Sequence, residues 1–367
     1  MIPINAPQID EEEIEAVINV LKSGILTNAL GKGPMVQKFE ENFAKFIKAK
    51  HALAVNNGTA ALHMAVVGAG VKQGDEVILP SFTFVATAEA VVMAGAKPVF
   101  VDINPETYNI SPEAVERAIT KKTKAIIAVD LYGSPADMKP IREIADKHGL
   151  KIVEDAAQAH GALYHGKPVG AYADFACWSF YASKNMTTGE GGMVTTNNDE
   201  FAEKLRLLRN HGEKEKYMSI MLGHNYRMPE IEAAIGCVQL NKLPNFIEER
   251  RKNADRLTVK LSKIEQLKPP EEPKNCKNSW YLYTVRLKNA NRTKRDTIVE
   301  QLKNKGIGAE VYYPHPIHLM PYYNRFRKRR LPETEKASEQ VFSLPVHPGV
   351  TVGQIDFISE TLSHLTK

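Results

Sequence analysis

Lys184 stands in the stretch SFYASKNMTTGEGG, residues 179 to 192, between an apolar run over 174–180 and a second that opens at Met193. An amine in such interior surroundings must be paired, neutralised or used covalently, because a lone buried ammonium is costly. Two other segments carry groups that could share its chemistry. EDAAQAHGA ends an apolar run with Asp155 and has Gln158 three residues on. NNGTAALHMAV follows another run and sets Gly58 and Thr59 where a turn feeds a helix. A glycine turn at a helix N-terminus is an anion site, a carboxylate can hold a protonated ring nitrogen, and an amine can form a Schiff base. Each segment alone also fits an ordinary turn or helix cap. His160 fits a structural histidine better than a catalyst.

The elements that would position these groups alternate short β-rich runs with helical patterns, which predicts an α/β layer fold. Strands are expected at 52–56, 76–80, 97–102, 124–129, 151–156, 175–180 and 192–196, several of them apolar at every residue, as in strands covered on both faces. That makes one seven-stranded, mainly parallel sheet. In such a sheet ligands gather beyond the C-terminal strand ends, where the Gly58–Thr59 turn, Asp155 and the Ser179–Lys184 segment all fall. A phosphate site, a carboxylate for a pyridine nitrogen and a lysine for a Schiff base are together what pyridoxal phosphate requires.

After the last strand the pattern turns helical over 201–209 and again from Pro229 to about Leu267, with Pro244 expected to bend or break the second stretch. Ser111 and Pro112 open one helix and Gly149 closes another. WYLYTVRL, residues 280–287, alternates like a one-faced strand, and helices follow at 294–306 and at the C-terminus. The expected domains are therefore 1–245, a large α/β domain, and 246–367, a small α+β domain.

Composition bounds the function. The 367 residues are 43% hydrophobic and 25% charged, with a net charge of +5 that is spread along the chain. This diffuse excess suits an anionic small substrate and argues against nucleic acid. Cys177, Cys237 and Cys276 show no paired spacing, so neither a disulfide framework nor a metal site is indicated, and a reducing cytoplasm is the expected compartment. The N-terminus lacks a basic and an apolar region, and no membrane span is expected.

The segments NNGTAALH, PSFTFVATAEAVVMAGAKPVFVDI, VEDAAQAHGA, SFYASKNMTTGEGG and GHNYRM, in this order and at these spacings, resemble the DegT/DnrJ/StrS family of pyridoxal-phosphate sugar aminotransferases of fold type I. The likeness runs from SGILTNALGKGPMVQKFE to YYPHPIH. It implies that Lys184 attaches the cofactor, Asp155 pairs with its ring nitrogen, Gln158 contacts its ring hydroxyl and Phe84 stacks on the ring. Gly58, Thr59 and Ser179 would hold the phosphate, and Asn225 would reach the phosphate of a neighbouring subunit, so a homodimer with shared sites is implied. Tyr181, Arg227 and His318 fall where such enzymes meet the sugar or its nucleotide, while NRFRKRR, 324–330, fits a solvated basic face. The implied reaction moves an amino group from glutamate or glutamine to a keto sugar carried on a nucleotide. GEGG after the lysine ranks C4 of a 4-keto-6-deoxy hexose above C3. A keto-cyclitol substrate or a regulatory, non-enzymatic role are the alternatives. Two features depart from the family pattern near the expected substrate: Asp130, where many relatives carry histidine, and NALGK, 28–32, which lengthens a turn.

Overall fold

The computed structural model describes residues 1–31 and 33–366. Its centre is a seven-stranded sheet of β1 (His51–Val55), β2 (Glu76–Pro80), β3 (Lys97–Val101), β4 (Thr123–Val129), β5 (Lys151–Asp155), β6 (Phe175–Ser179) and β7 (Gly192–Thr196). Each lies within one residue of its expected bounds. The spatial order is β1-β7-β6-β5-β4-β2-β3, with β7 antiparallel to both of its neighbours and every other pair parallel.

Alternate strand residues serve opposite faces because strand side chains repeat every second position. Val77, Leu79, Ile127 and Val153 pack under the helices Gly58–Gly68 and Ala86–Met93. Ile78, Ile126, Ala128 and Ile152 pack under Met138–His148. At the β1 end, Ala52, Trp178 and Met193 meet Phe39 and Phe43 of the helix Pro34–Ile47 and Leu240 and Leu243 of a long helix, Glu230–Leu261. Both faces are covered, which explains strands without polar alternation.

The long helix departs from expectation. It runs unbroken through Pro244 and ends at Leu261, not near Leu267. Pro244 removes one N–H, but buried Leu240, Leu243 and Ile247 hold the turns on either side against the core. Residue 245 falls inside this helix, whose later residues Ala254, Leu257 and Leu261 belong to a second core. That core is built on a small antiparallel sheet of β8 (Leu267–Lys268), β9 (Tyr283–Leu287) and β10 (Val341–Leu344), together with Ile2 from the N-terminus. The helix after Ser111 is only Pro112–Glu116, and β9 is shorter than the 280–287 run and buried on both faces. Among the described residues no helix is long and apolar enough to cross a membrane.

Two acidic residues lie inside the large sheet. Asp130, just after β4, and Glu154, on β5, are fully buried and near enough that each perturbs the other's carboxyl. Asp130 Oδ1 also accepts from Ala136 N at 2.8 Å, and Glu154 Oε2 from Gly170 N at 2.9 Å. Burial, and then the charge of Glu154, pushes Asp130 well above the usual carboxylate range, and burial pushes Glu154 up to about 7. The expectation that Asp130 sits beside substrate is corrected: it is sealed beneath the site. Asn28 of the NALGK turn is likewise buried and accepts from Gly33 N; Ala29–Gly31 form a single 3-10 turn, and Lys32 lies outside the described residues.

Two predictions follow from these features. Pro244 is exposed, so Pro244→Ala restores a helix hydrogen bond at no packing cost and raises unfolding stability by about 1–3 kcal/mol. A chemical-unfolding midpoint equal to wild type would contradict this. For Glu154, the folded state holds a proton that the unfolded chain has released, so stability declines as pH rises from the ordinary carboxyl range through about 7. At roughly 1.4 kcal/mol per pKa unit the decline is on the order of 3 kcal/mol. Glu154→Gln keeps an acceptor for Gly170 and offers Asp130 an amide donor, so its stability should stay flatter over the same range in urea unfolding at stepped pH. Equally steep curves would show that Glu154 does not cause the decline.

Candidate active site

The C-terminal ends of β1, β2, β5 and β6 open into one cavity of about 900 Å³. Its wall includes Gly58, Thr59, Phe84, Asp155, Gln158, Ser179, Tyr181 and Lys184, so eight of the residues singled out in the sequence converge.

The cradle on one side forms where three backbone segments meet. Asn57 caps the helix Gly58–Gly68 by accepting from Ala60 N at 2.8 Å. The preceding N–H groups of Gly58 and Thr59 make no hydrogen bond among the described residues, the normal state of a first helical turn. A Cβ on Gly58 would lie 2.8 Å from Ser179 Cβ and 3.2 Å from its Oγ, and one on Gly192 would lie 2.4 Å from Asn57 O. Only glycines let β6, β7 and the helix start approach this closely. Two free N–H groups, a hydroxyl and a helix N-terminus then face the same space, which suits a phosphate.

Asp155 forms the floor. It is 6% exposed; its Oδ2 accepts from Thr87 Oγ1 at 2.8 Å, and its Oδ1 from Ala157 N at 3.3 Å. Burial pushes its carboxyl up, against the Thr87 hydroxyl, the Ala157 N–H and the charge of Lys184. No lysine or arginine makes a salt bridge with it among the described residues. A buried carboxylate lacking a contact cation fits a protonated ring nitrogen, which would supply that charge.

Gln158 is clamped: its Oε1 accepts from Tyr132 N at 2.8 Å and its Nε2 donates to Tyr313 Oη at 3.1 Å. Lys184 Nζ lies 4.5 Å from the centre of the Tyr281 ring. Phe84 is 55% exposed with its ring 6.1 Å from that of Tyr313, so it faces open space.

Three expected residues are not on this wall. Asn225 is exposed and bridges to Asn210, and Arg227 Nη1 donates to Asn210 Oδ1 at 2.7 Å. His318 is fully buried, with Nδ1 2.7 Å from Ser81 Oγ and Nε2 3.4 Å from Glu335 Oε1. Both of its nitrogens are engaged inside the protein, so in this chain it braces the turn after β2. His160, as expected of a structural histidine, lies against the Trp178 and Phe180 rings, and burial pulls it down to about 3, which keeps it neutral.

Several wall residues were not singled out as site residues in the sequence. Tyr281, Tyr312 and Tyr313 come from an aromatic cluster that includes Phe82 and Tyr132, and Tyr226 Oη lies 3.1 Å from His63 Nδ1. They approach the cavity from distant parts of the chain, and only the WYLY and YYP runs of consecutive aromatics hinted at them. Thr87 could have been found as a hydroxyl in the first turns of the helix after PSFT.

The DegT/DnrJ/EryC1/StrS aminotransferase family model matches residues 7–363. A Geobacillus stearothermophilus protein named pleiotropic regulatory protein is 42% identical over 98% of each chain. The GDP-perosamine synthase of Caulobacter vibrioides is 39% identical over 99% of this chain and 98% of its own. The crystal structure of S. venezuelae DesV in complex with a ketimine intermediate superposes with a TM-score of 0.92, at 37% identity, over 100% of this chain and 99% of DesV. The floor, the cradle and these likenesses agree: the chain belongs to the DegT/DnrJ/EryC1/StrS aminotransferase family, has the type I fold of pyridoxal-phosphate enzymes, and is a sugar aminotransferase that works with that cofactor.

Proposed function

We propose that this enzyme moves the amino group of glutamate or glutamine to the keto carbon of a nucleotide-linked hexose, with a 4-keto-6-deoxy hexose first in rank, and does so as a homodimer. The observation that carries the reading is the meeting of Lys184, Asp155 and the Gly58–Thr59–Ser179 cradle in one cavity. The name of the Caulobacter relative, which pairs an amino sugar with GDP, supports a nucleotide-borne substrate.

Bound pyridoxal phosphate supplies an electron sink for bond breaking at the amino-bearing carbon. Asp155 holds a proton on the ring nitrogen and so keeps the sink effective. Lys184 would hold the group covalently, and its Nζ, when free, would move the proton at the amino-bearing carbon. Gly58 N, Thr59 N and Ser179 Oγ bind the phosphate, Phe84 covers the ring, and the clamped Gln158 carboxamide orients the ring hydroxyl. Tyr181, half-exposed at the wall, meets the sugar. Asn225, exposed and off the wall of its own cavity, would reach the phosphate of a second copy, and Arg227, bonded to Asn210, would meet the sugar or its nucleotide. His318 has no part, since both its ring nitrogens are engaged elsewhere. A regulatory role is the second reading, favoured by the name of the Geobacillus relative. That role would survive loss of Lys184.

Lys184→Ala lowers turnover by roughly two to four orders of magnitude, and Asp155→Asn lowers it while the protein still folds. The decisive assay treats the loaded enzyme with glutamate, follows its visible absorption, and adds nucleotide 4-keto sugars, nucleotide 3-keto sugars or a keto inositol. Recovery only with the keto inositol overturns the nucleotide-sugar assignment. For the shared site, Lys184→Ala and Asn225→Ala subunits, each inactive alone, regain about a quarter of wild-type activity when mixed and reassociated, because half the dimers contain one intact site. No recovery, with hybrid dimers shown to form, would place Asn225 outside the neighbour's site.

A further inference from the structure

Arg250 sits 2% exposed in the middle of the long helix and has no carboxylate partner among the described residues. Its Nη1 donates to the carbonyls of Trp280 at 3.3 Å and Tyr281 at 3.2 Å, and its Nη2 to Asn5 Oδ1 at 3.1 Å. Burial pulls its guanidinium down to about 10, the mark of a charge held without an opposing one. A guanidinium in that state is expensive, so the groups it orders are worth following.

They lead to Lys184 from both sides. Asn5 Nδ2 donates to the carbonyl of Ser183, the residue before Lys184. Tyr281 Oη is 2.9 Å from Ser183 Oγ, and the Tyr281 ring lies under Lys184 Nζ at 4.5 Å. Asn185, the residue after Lys184, donates its Nδ2 to Ser279 O at 2.9 Å. The N-terminal segment and the residues just before β9 therefore converge on the two neighbours of one lysine, and Arg250, from the long helix, bonds both segments.

We propose that Arg250 is a positioning residue for Lys184: through Asn5 and the backbone of Tyr281 it fixes the aromatic face on which the Lys184 ammonium rests whenever the amine is not in covalent use. The proposal rests on the assignment of Lys184 as the reacting amine. An ammonium over a tyrosine face is held by attraction to the ring's negative face, and a displaced ring releases it. Arg250 touches no reacting atom.

The test uses cofactor-free protein. A brief pulse of acetic anhydride at mildly alkaline pH is followed by peptide mass spectrometry, with labelling of Lys184 scored relative to the exposed lysines. Tyr281→Leu should raise that ratio by about three- to fivefold, and Tyr281→Phe, which keeps the ring, should leave it within about twofold. Arg250→Met should raise it as Tyr281→Leu does, and Arg250→Lys should return it toward wild type. Should Arg250→Met not fold, Asn5→Ala carries the test at the same threshold. A variant that lowers the melting temperature but leaves the ratio within about twofold would show Arg250 to be structural only and would overturn the proposal. Failure of the Lys184 assignment is read separately, as undiminished transamination by Lys184→Ala holoenzyme.

Discussion

The structure depends on a buried carboxylate and a half-buried amine that face one cavity. Burial raises the Asp155 carboxyl, and the Thr87 hydroxyl, the Ala157 N–H and the charge of Lys184 oppose that rise. One residue back along β5, Glu154 points to the other face, where burial beside Asp130 raises its carboxyl to about 7 and favours its protonated form. The two faces of one strand thus handle acidity in opposite ways, one awaiting a cation and the other holding a proton.

Strand direction brings the groups together. Parallel strands end on the same edge of the sheet, so β1, β2, β5 and β6 deliver Gly58, Phe84, Asp155 and Ser179 to one rim. The antiparallel β7 adds what a purely parallel sheet could not, since the chain turns back after β6 and keeps Lys184 over the rim. Gly191, with φ of 152°, lets that return close against Met228 and Thr188. Gly192 then passes so near Asn57 that the helix N-terminus and the lysine loop become one cradle.

An aromatic cluster between the two cores completes the wall. Its residues Tyr281, Tyr312 and Tyr313, packed with Phe82, Tyr108 and Tyr132, line the cavity, and the helix Glu230–Leu261 is packed into both cores. A displacement between the cores would reach Gln158 through Tyr313 and Lys184 through Tyr281. The geometry of the reacting amine is therefore linked to the seating of a part of the chain almost a hundred residues away.

The strand runs, the glycine turn, Asp155 and Lys184 were legible in the amino-acid order because each depends on local chemistry: apolar runs long enough for a covered strand, a residue type that permits close approach, a charge at a strand end. The same locality explains the misses. Pro244 suggested a break because its cost is local, whereas the packing that overrides it comes from other helices. The resemblance set His318 near substrate, yet its imidazole is held by Ser81, 237 positions away. Asp130 seemed close to substrate, and only the pairing of β4 with β5 sets its carboxyl against Glu154. By itself the sequence determined which groups could do the chemistry and which strand ends carry them. Tertiary structure alone decided which aromatic rings enclose the cavity and which charges are neutralised by neighbours, because those contacts join residues far apart in the chain.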